Sequence, residues 1–136
     1  IHEGQLTWES EGLHLVADLG EMWAERTGGL PLPLGGNVVR RDLGEEECKL
    51  VTEHVKISIQ NAISEPEEGL AFAIEWGRGI DEETNEEFVQ MYVNERTIDY
   101  GPDGRKSVRL FLKEGQRIGM IREDLDVDAL EFIGAE

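Results

Sequence analysis

Cysteine occurs once, proline 4 times and histidine 3 times in the 136 residues. A single cysteine excludes an internal disulfide framework. No apolar run approaches the roughly 20 residues needed to span a bilayer. The opening Ile1, His2 and Glu3 carry no basic-then-apolar signal pattern, so a cytoplasmic setting is expected. Positive charge is also short: 13 Lys and Arg face 30 Asp and Glu, a formal charge of −17. Such a balance repels phosphate and excludes a general nucleic-acid or anionic-membrane binder. What is present, 39% apolar and 32% charged residues, suits one globular domain with a modest core.

Turn chemistry and hydrophobic periodicity divide the chain. Residues 13–19, with apolar residues at 13, 15, 17 and 19, predict a short strand closed by Gly20. A helix is expected over 21–27, stopped by Gly28-Gly29. Leu30-Pro31-Leu32-Pro33-Leu34 must be extended, because each proline locks φ and removes a donor. Gly35-Gly36 allows a sharp turn or close backbone approach before a second expected strand over 37–41. After residue 42 the chain is mostly helical. Helices are predicted at about 45–62, 65–76, 82–93 and 105–116, the first N-capped by Asp42 and the second ended by Gly77 and Gly79. Gly101-Pro102-Asp103-Gly104 reads as a turn, and residues 120–136 as an acidic, loosely attached tail. The helices present single apolar stripes that need covering, yet few strands are available. With an opening at Ile1 and no methionine, the expectation is half of a larger α/β protein.

Candidate chemical residues are few. His2 has the side chain suited to proton transfer near neutral pH, with Glu3 beside it to orient an imidazole. A terminal His-Glu pair is ordinarily solvated, and a base at residue 2 needs preceding chain to hold it in place. His14 falls on the polar side of its expected strand, and His54 lies off the apolar stripe of its helix. The three histidines lack metal-ligand spacing, so no metal is expected. Cys48 sits on an apolar stripe and reads as a buried, inert thiol. Asp124, Asp126 and Asp128 alternate like calcium ligands but lack the loop glycine and closing glutamate. Gly35-Gly36 is not a phosphate loop, Arg40-Arg41 reads as ion-paired surface, and Asn94 and Thr97 as caps. Trp8, Trp23 and Trp76 read as packing residues.

Several strings occur together in order: Ile1-His2-Glu3-Gly4-Gln5-Leu6-Thr7, Val16-Ala17-Asp18-Leu19-Gly20, Trp23-Ala24-Glu25-Arg26-Thr27-Gly28, and Leu30-Pro31-Leu32-Pro33-Leu34-Gly35. Further on come Arg40-Arg41-Asp42-Leu43-Gly44 and Met91-Tyr92-Val93-Asn94. In these blocks the chain resembles the 1,4-dihydroxy-6-naphthoate synthases, lyases of the futalosine route to menaquinone. The resemblance implies an α/β fold like the type II periplasmic binding proteins, two lobes with the ligand in the cleft. Members carry about half their chain before the Ile-His-Glu block, so the N-terminal half would be absent here.

On that resemblance, residues 1–38 would close the second lobe, 39–119 would return to the first, and 120–136 would form the tail. His2 would be the general base that takes a proton from cyclic dehypoxanthine futalosine, starting the elimination that releases dihydroxynaphthoate. Glu3, Gly35 and Gly36 are candidates for substrate binding, and no cofactor is implied. The expected partner is a small-molecule substrate, not nucleic acid or membrane. The 136 residues alone are expected to be inactive and to self-associate through exposed helix faces. The competing readings are a non-enzymatic solute-binding module of the same fold and a chorismate dehydratase-like sister enzyme.

Overall fold

The computed structural model describes residues 4–76 and 81–134. Seven α-helices form among them, and no β-strand does. The chain divides into two compact units, one of residues 1–17 and 54–98 and the other of residues 18–53 and 99–136. No helix among the described residues is long and apolar enough to cross a membrane.

In the unit of residues 18–53 and 99–136, α2 (Leu19–Thr27) has both of its ends fixed by short-range chemistry. Asp18 keeps an extended backbone and its carboxylate accepts the Glu21 N–H at 2.9 Å. Gly28 stands at φ +76°, where a side chain would be strained, and the Gly29 N–H returns to the Ala24 carbonyl at 2.8 Å. The helix buries Trp23, whose indole N–H donates to Ser107 Oγ at 2.9 Å. Ser107, fully enclosed, donates in turn to the Pro31 carbonyl at 2.6 Å. Edge-on packing of Trp23 against Phe111, with centroids 5.5 Å apart, completes the join between α2, the proline connector and the last helix.

That last helix, α7 (Gly101–Arg117), begins earlier than expected. Gly101-Pro102-Asp103-Gly104 forms its first turn, because a proline in the first turn gives up only an N–H that has no helical partner. Asp99 supplies the missing cap: its Oδ1 accepts the Gly101 N–H at 2.6 Å and Arg105 Nη1 at 2.8 Å. Along α7, cations recur every fourth residue at 105, 109, 113 and 117. Two of them hold the C-terminal segment: Arg109 donates to the Leu130 carbonyl and lies over the Phe132 ring, while Lys113 pairs with Asp128 at 2.6 Å. Residues 121–134 are therefore anchored, with Val127 buried, and are not loosely attached.

A 3-10 turn (Arg41–Leu43) precedes α3 (Glu45–Ser64). Asp42 does not cap α3. Its carboxylate is drawn to Arg40, and the Gly44 carbonyl accepts the Cys48 N–H instead. The N-terminal turns of α3 belong to this unit and the C-terminal turns to the other.

In the unit of residues 1–17 and 54–98, the end of α3 is followed by α4 (Pro66–Glu75) and α5 (Glu82–Tyr92), which pack on each other, with short α1 (Gly4–Thr7) and α6 (Glu95–Ile98). Pro66 opens α4, and Asp81 caps α5 by accepting the Thr84 N–H at 2.9 Å. Asn94 and Thr97 cap α6, through Asn94 Oδ1 on the Arg96 N–H and Thr97 Oγ1 on the Asn94 N–H. The expected helix stops Gly77 and Gly79 lie outside the described residues.

The α/β expectation fails on its strands. Residues 13–18 and 30–40 form none: a strand exists only through a ladder of hydrogen bonds to a neighbouring strand, and among the described residues their backbone-to-backbone bonds are turn and cap bonds at Leu13, Asp18 and Arg40. The mostly helical character after residue 42 is observed. Much of the apolar stripes stays open as well: Val51 and Val55 of α3, Phe72 and Ile74 of α4, and Trp76 at the end of α4 are exposed, although Cys48 is buried.

Candidate functional site

His2 and Glu3, the residues with the most suggestive chemistry, lie outside the described residues. Just after them, α1 is tied to α5 by Gln5, whose side-chain amide donates to Tyr92 Oη at 3.4 Å. His14 and His54 are both exposed, on an irregular segment and on α3 respectively. Cys48 is buried, with its thiol donating to the Arg40 carbonyl at 3.4 Å.

Gly35 and Gly36 lie in the exposed extended segment that follows the prolines. A Cβ on Gly36 would stand 2.7 Å from Tyr100 Oη, so glycine is what admits the phenol. Tyr100 is held by edge-on contact with Phe132, at 5.9 Å between centroids, and Phe132 is in turn covered by Arg109. The doublet thus presents exposed backbone beside a phenol packed on Phe132. Sequence reasoning did not single out Tyr100 or Arg109. Their available signals were a tyrosine immediately before Gly-Pro and the four-residue recurrence of cations.

That cationic row borders a shallow groove of about 540 Å³ along α7, lined by Arg105, Lys106, Arg109, Leu110 and Lys113. Three of these cations are engaged within the unit, by Asp99, the Leu130 carbonyl and Asp128. Arg40 and Arg41 are likewise ion-paired, with Asp42 and Glu131. Such pairing holds the Asp42 carboxyl below the usual carboxylate range, through the Arg40 guanidinium. Glu114 is held low in the same way, first by Arg117 and then by Arg26. Asp124 and Asp128 are spent on Arg122 and Lys113, and Asp126 accepts the N–H groups of Asp128 and Ala129. Among the described residues no group of three or more His, Cys, Asp or Glu is placed to hold a metal ion.

Comparison with known proteins gives the geometry a context. The profile of a family described as menaquinone biosynthesis matches residues 1–117. A 1,4-dihydroxy-6-naphthoate synthase from Streptomyces coelicolor is 36% identical over 132 residues, which is 97% of this chain and 46% of the relative. A protein of the same name from Thermus thermophilus is 38% identical over 120 residues, 88% of this chain and 44% of the relative. A crystal structure of a protein from Archaeoglobus fulgidus superposes with a TM-score of 0.81 at 36% identity, covering 89% of this chain and 46% of that one. The chain spans about half the length of the relatives that it matches.

Proposed function

Because the chain belongs to the menaquinone biosynthesis family, we propose that it is the C-terminal part of a 1,4-dihydroxy-6-naphthoate synthase-like lyase in which His2 is the general base. The observation that carries this reading is the match to two synthases of that name across 97% and 88% of the chain. The substrate would be cyclic dehypoxanthine futalosine, bound in the cleft of a two-lobed, periplasmic-binding-protein-like fold. Histidine is the side chain type suited to taking up a proton near neutral pH. His2 takes a proton from the substrate, the elimination releases 1,4-dihydroxy-6-naphthoate, and Glu3 stabilises the imidazolium that forms. Gly35 and Gly36 offer backbone for contact with the substrate beside Tyr100.

The test is turnover by the full-length polypeptide and its His2→Ala form. Loss of a general base lowers kcat by about 10²- to 10⁴-fold while KM changes little. Undiminished turnover would remove His2 from the mechanism. Stoichiometric binding of the substrate by the unsubstituted protein, without product, would replace the lyase with a solute-binding module.

A further inference from the structure

The segment that carries Gly35 and Gly36 is held at its ends and propped between them. At one end the Pro31 carbonyl accepts the Ser107 hydroxyl at 2.6 Å, and at the other the Arg40 carbonyl accepts the Cys48 thiol at 3.4 Å. Residues 34–38 between these anchors are exposed, and there Tyr100 Oη stands against Gly36. The two glycines differ in what surrounds them. A Cβ on Gly35 would meet nothing within 4 Å, whereas one on Gly36 would stand 2.7 Å from the phenol oxygen. Gly36 is not among the glycines at positive φ, so space rather than backbone angle calls for glycine there. That space is closed only while the phenol cannot swing aside. Phe132 packs edge-on against Tyr100 with centroids 5.9 Å apart, and Arg109 lies 4.9 Å from the Phe132 centroid while donating to the Leu130 carbonyl. Val127, 4% exposed, and the pairing of Asp128 with Lys113 fix the same segment just upstream. Glu131 also reaches Arg41, but both side chains are exposed and the pair contributes little, so the ring contact carries the connection.

We propose that Phe132 is a positioning residue for substrate binding: it fixes the Tyr100 phenol, the phenol fixes the Gly36 backbone, and that backbone meets the substrate. The C-terminal segment, which lies beyond the residues matched by the family profile, thereby acquires a share in affinity. The inference rests on the reading of Gly35 and Gly36 as substrate-binding residues and deepens it. Phe132 acts through Tyr100 and not on a reacting atom, so its loss weakens the binding of substrate and transition state alike. KM, not kcat, is the constant that reports such a loss.

The test uses the full-length polypeptide with cyclic dehypoxanthine futalosine. Phe132→Ala is expected to raise KM about threefold to tenfold, the worth of an aromatic edge contact, with kcat within about twofold of the unsubstituted protein. Phe132→Tyr keeps the ring and should restore KM, and Glu131→Gln, which removes only the exposed pair, should leave it unchanged. Gly36→Ala separates positioning from packing alone. Against the pinned phenol its methyl should raise KM about tenfold or more. In Tyr100→Phe the nearest atom to that methyl becomes the ring carbon Cζ at 3.8 Å, an ordinary contact, so the double variant should fall well short of the product of the two single effects. Tyr100→Phe also keeps the ring pair with Phe132, and it carries the KM expectation if Phe132→Ala does not fold. A readout free of substrate is the Gly36 amide resonance, which Phe132→Ala should shift and Glu131→Gln should not. Four results overturn the proposal: an unchanged KM in Phe132→Ala, a loss confined to kcat, single effects of Gly36→Ala and Tyr100→Phe that multiply in full, or a Gly36 resonance that does not move. A Gly36 resonance that moves in a polypeptide without activity on cyclic dehypoxanthine futalosine would sustain the connection from Phe132 to Gly36 and remove the functional reading instead.

Discussion

Ser107 is the residue on which three segments converge. Its hydroxyl accepts from the Trp23 indole and donates to the Pro31 carbonyl, so both of its capacities are used in an enclosed site. Ser107→Ala should leave a buried N–H and a carbonyl unmatched and destabilise this unit by about 1–3 kcal/mol. Trp23→Phe keeps most of the packing on Phe111 and should cost about 1 kcal/mol, the loss of one hydrogen bond. Urea denaturation of the single and double variants checks this: full additivity of the two losses would mean that the hydroxyl and the indole do not act together.

At the scale of elements, α5 shows how one cap makes a helix sensitive to acid. The Asp81 carboxyl titrates below the usual carboxylate range, because the Thr84 backbone N–H and hydroxyl donate to its ionised form. With the folded value lower than the unfolded one, the cap stabilises α5 above the unfolded carboxylate range. That contribution is lost as pH falls through the depressed value. The Thr84 amide resonance should therefore titrate on the acid side of a free aspartate, and Asp81→Asn should abolish the titration while keeping the helix. A Thr84 midpoint at or above that of a free aspartate would contradict the cap.

Local punctuation explains which elements could be read from sequence. The Gly28-Gly29 stop and the run of Asp81 into its helix act within four residues, so α2 and α5 were legible. Gly101-Pro102 was not, because the same pair suits a turn and a helix start, and only Asp99 with Arg105 decides between them. The anchored C-terminal segment depends on charge pairs such as Lys113 with Asp128, and the Gly36 contact with Tyr100 spans still more of the chain. No window of sequence contains either. Of the candidate site, the block from His2 onward was legible as a family resemblance, and the phenol beside Gly36 was invisible.

For the molecule as a whole, a charge of −17 acts on every compact state that it adopts. Ion pairs such as Arg122 with Asp124 are exposed and contribute little to stability, so they do not offset the repulsion. Screening should: raising NaCl from about 10 mM to about 1 M shortens the Debye length from about 30 Å to about 3 Å. The thermal midpoint should rise across that range, and a midpoint that falls or stays constant would show that self-repulsion is not a significant term. The engagement of Arg105 by Asp99, and of Arg109 and Lys113 by the C-terminal segment, accords with this, since these scarce cations are already committed locally.

The indole that joins α2 to α7 has an optical consequence. Trp23 is 8% exposed, whereas Trp76 is 73% exposed and Trp8 lies between them. Trp23 belongs to one compact unit, and Trp8 and Trp76 to the other. Trp23 should therefore emit to the blue and be sheltered from acrylamide, and Trp76 should emit to the red and be quenched readily. Intrinsic fluorescence collected at two wavelengths thus distinguishes the melting of one unit from that of the other without any added dye.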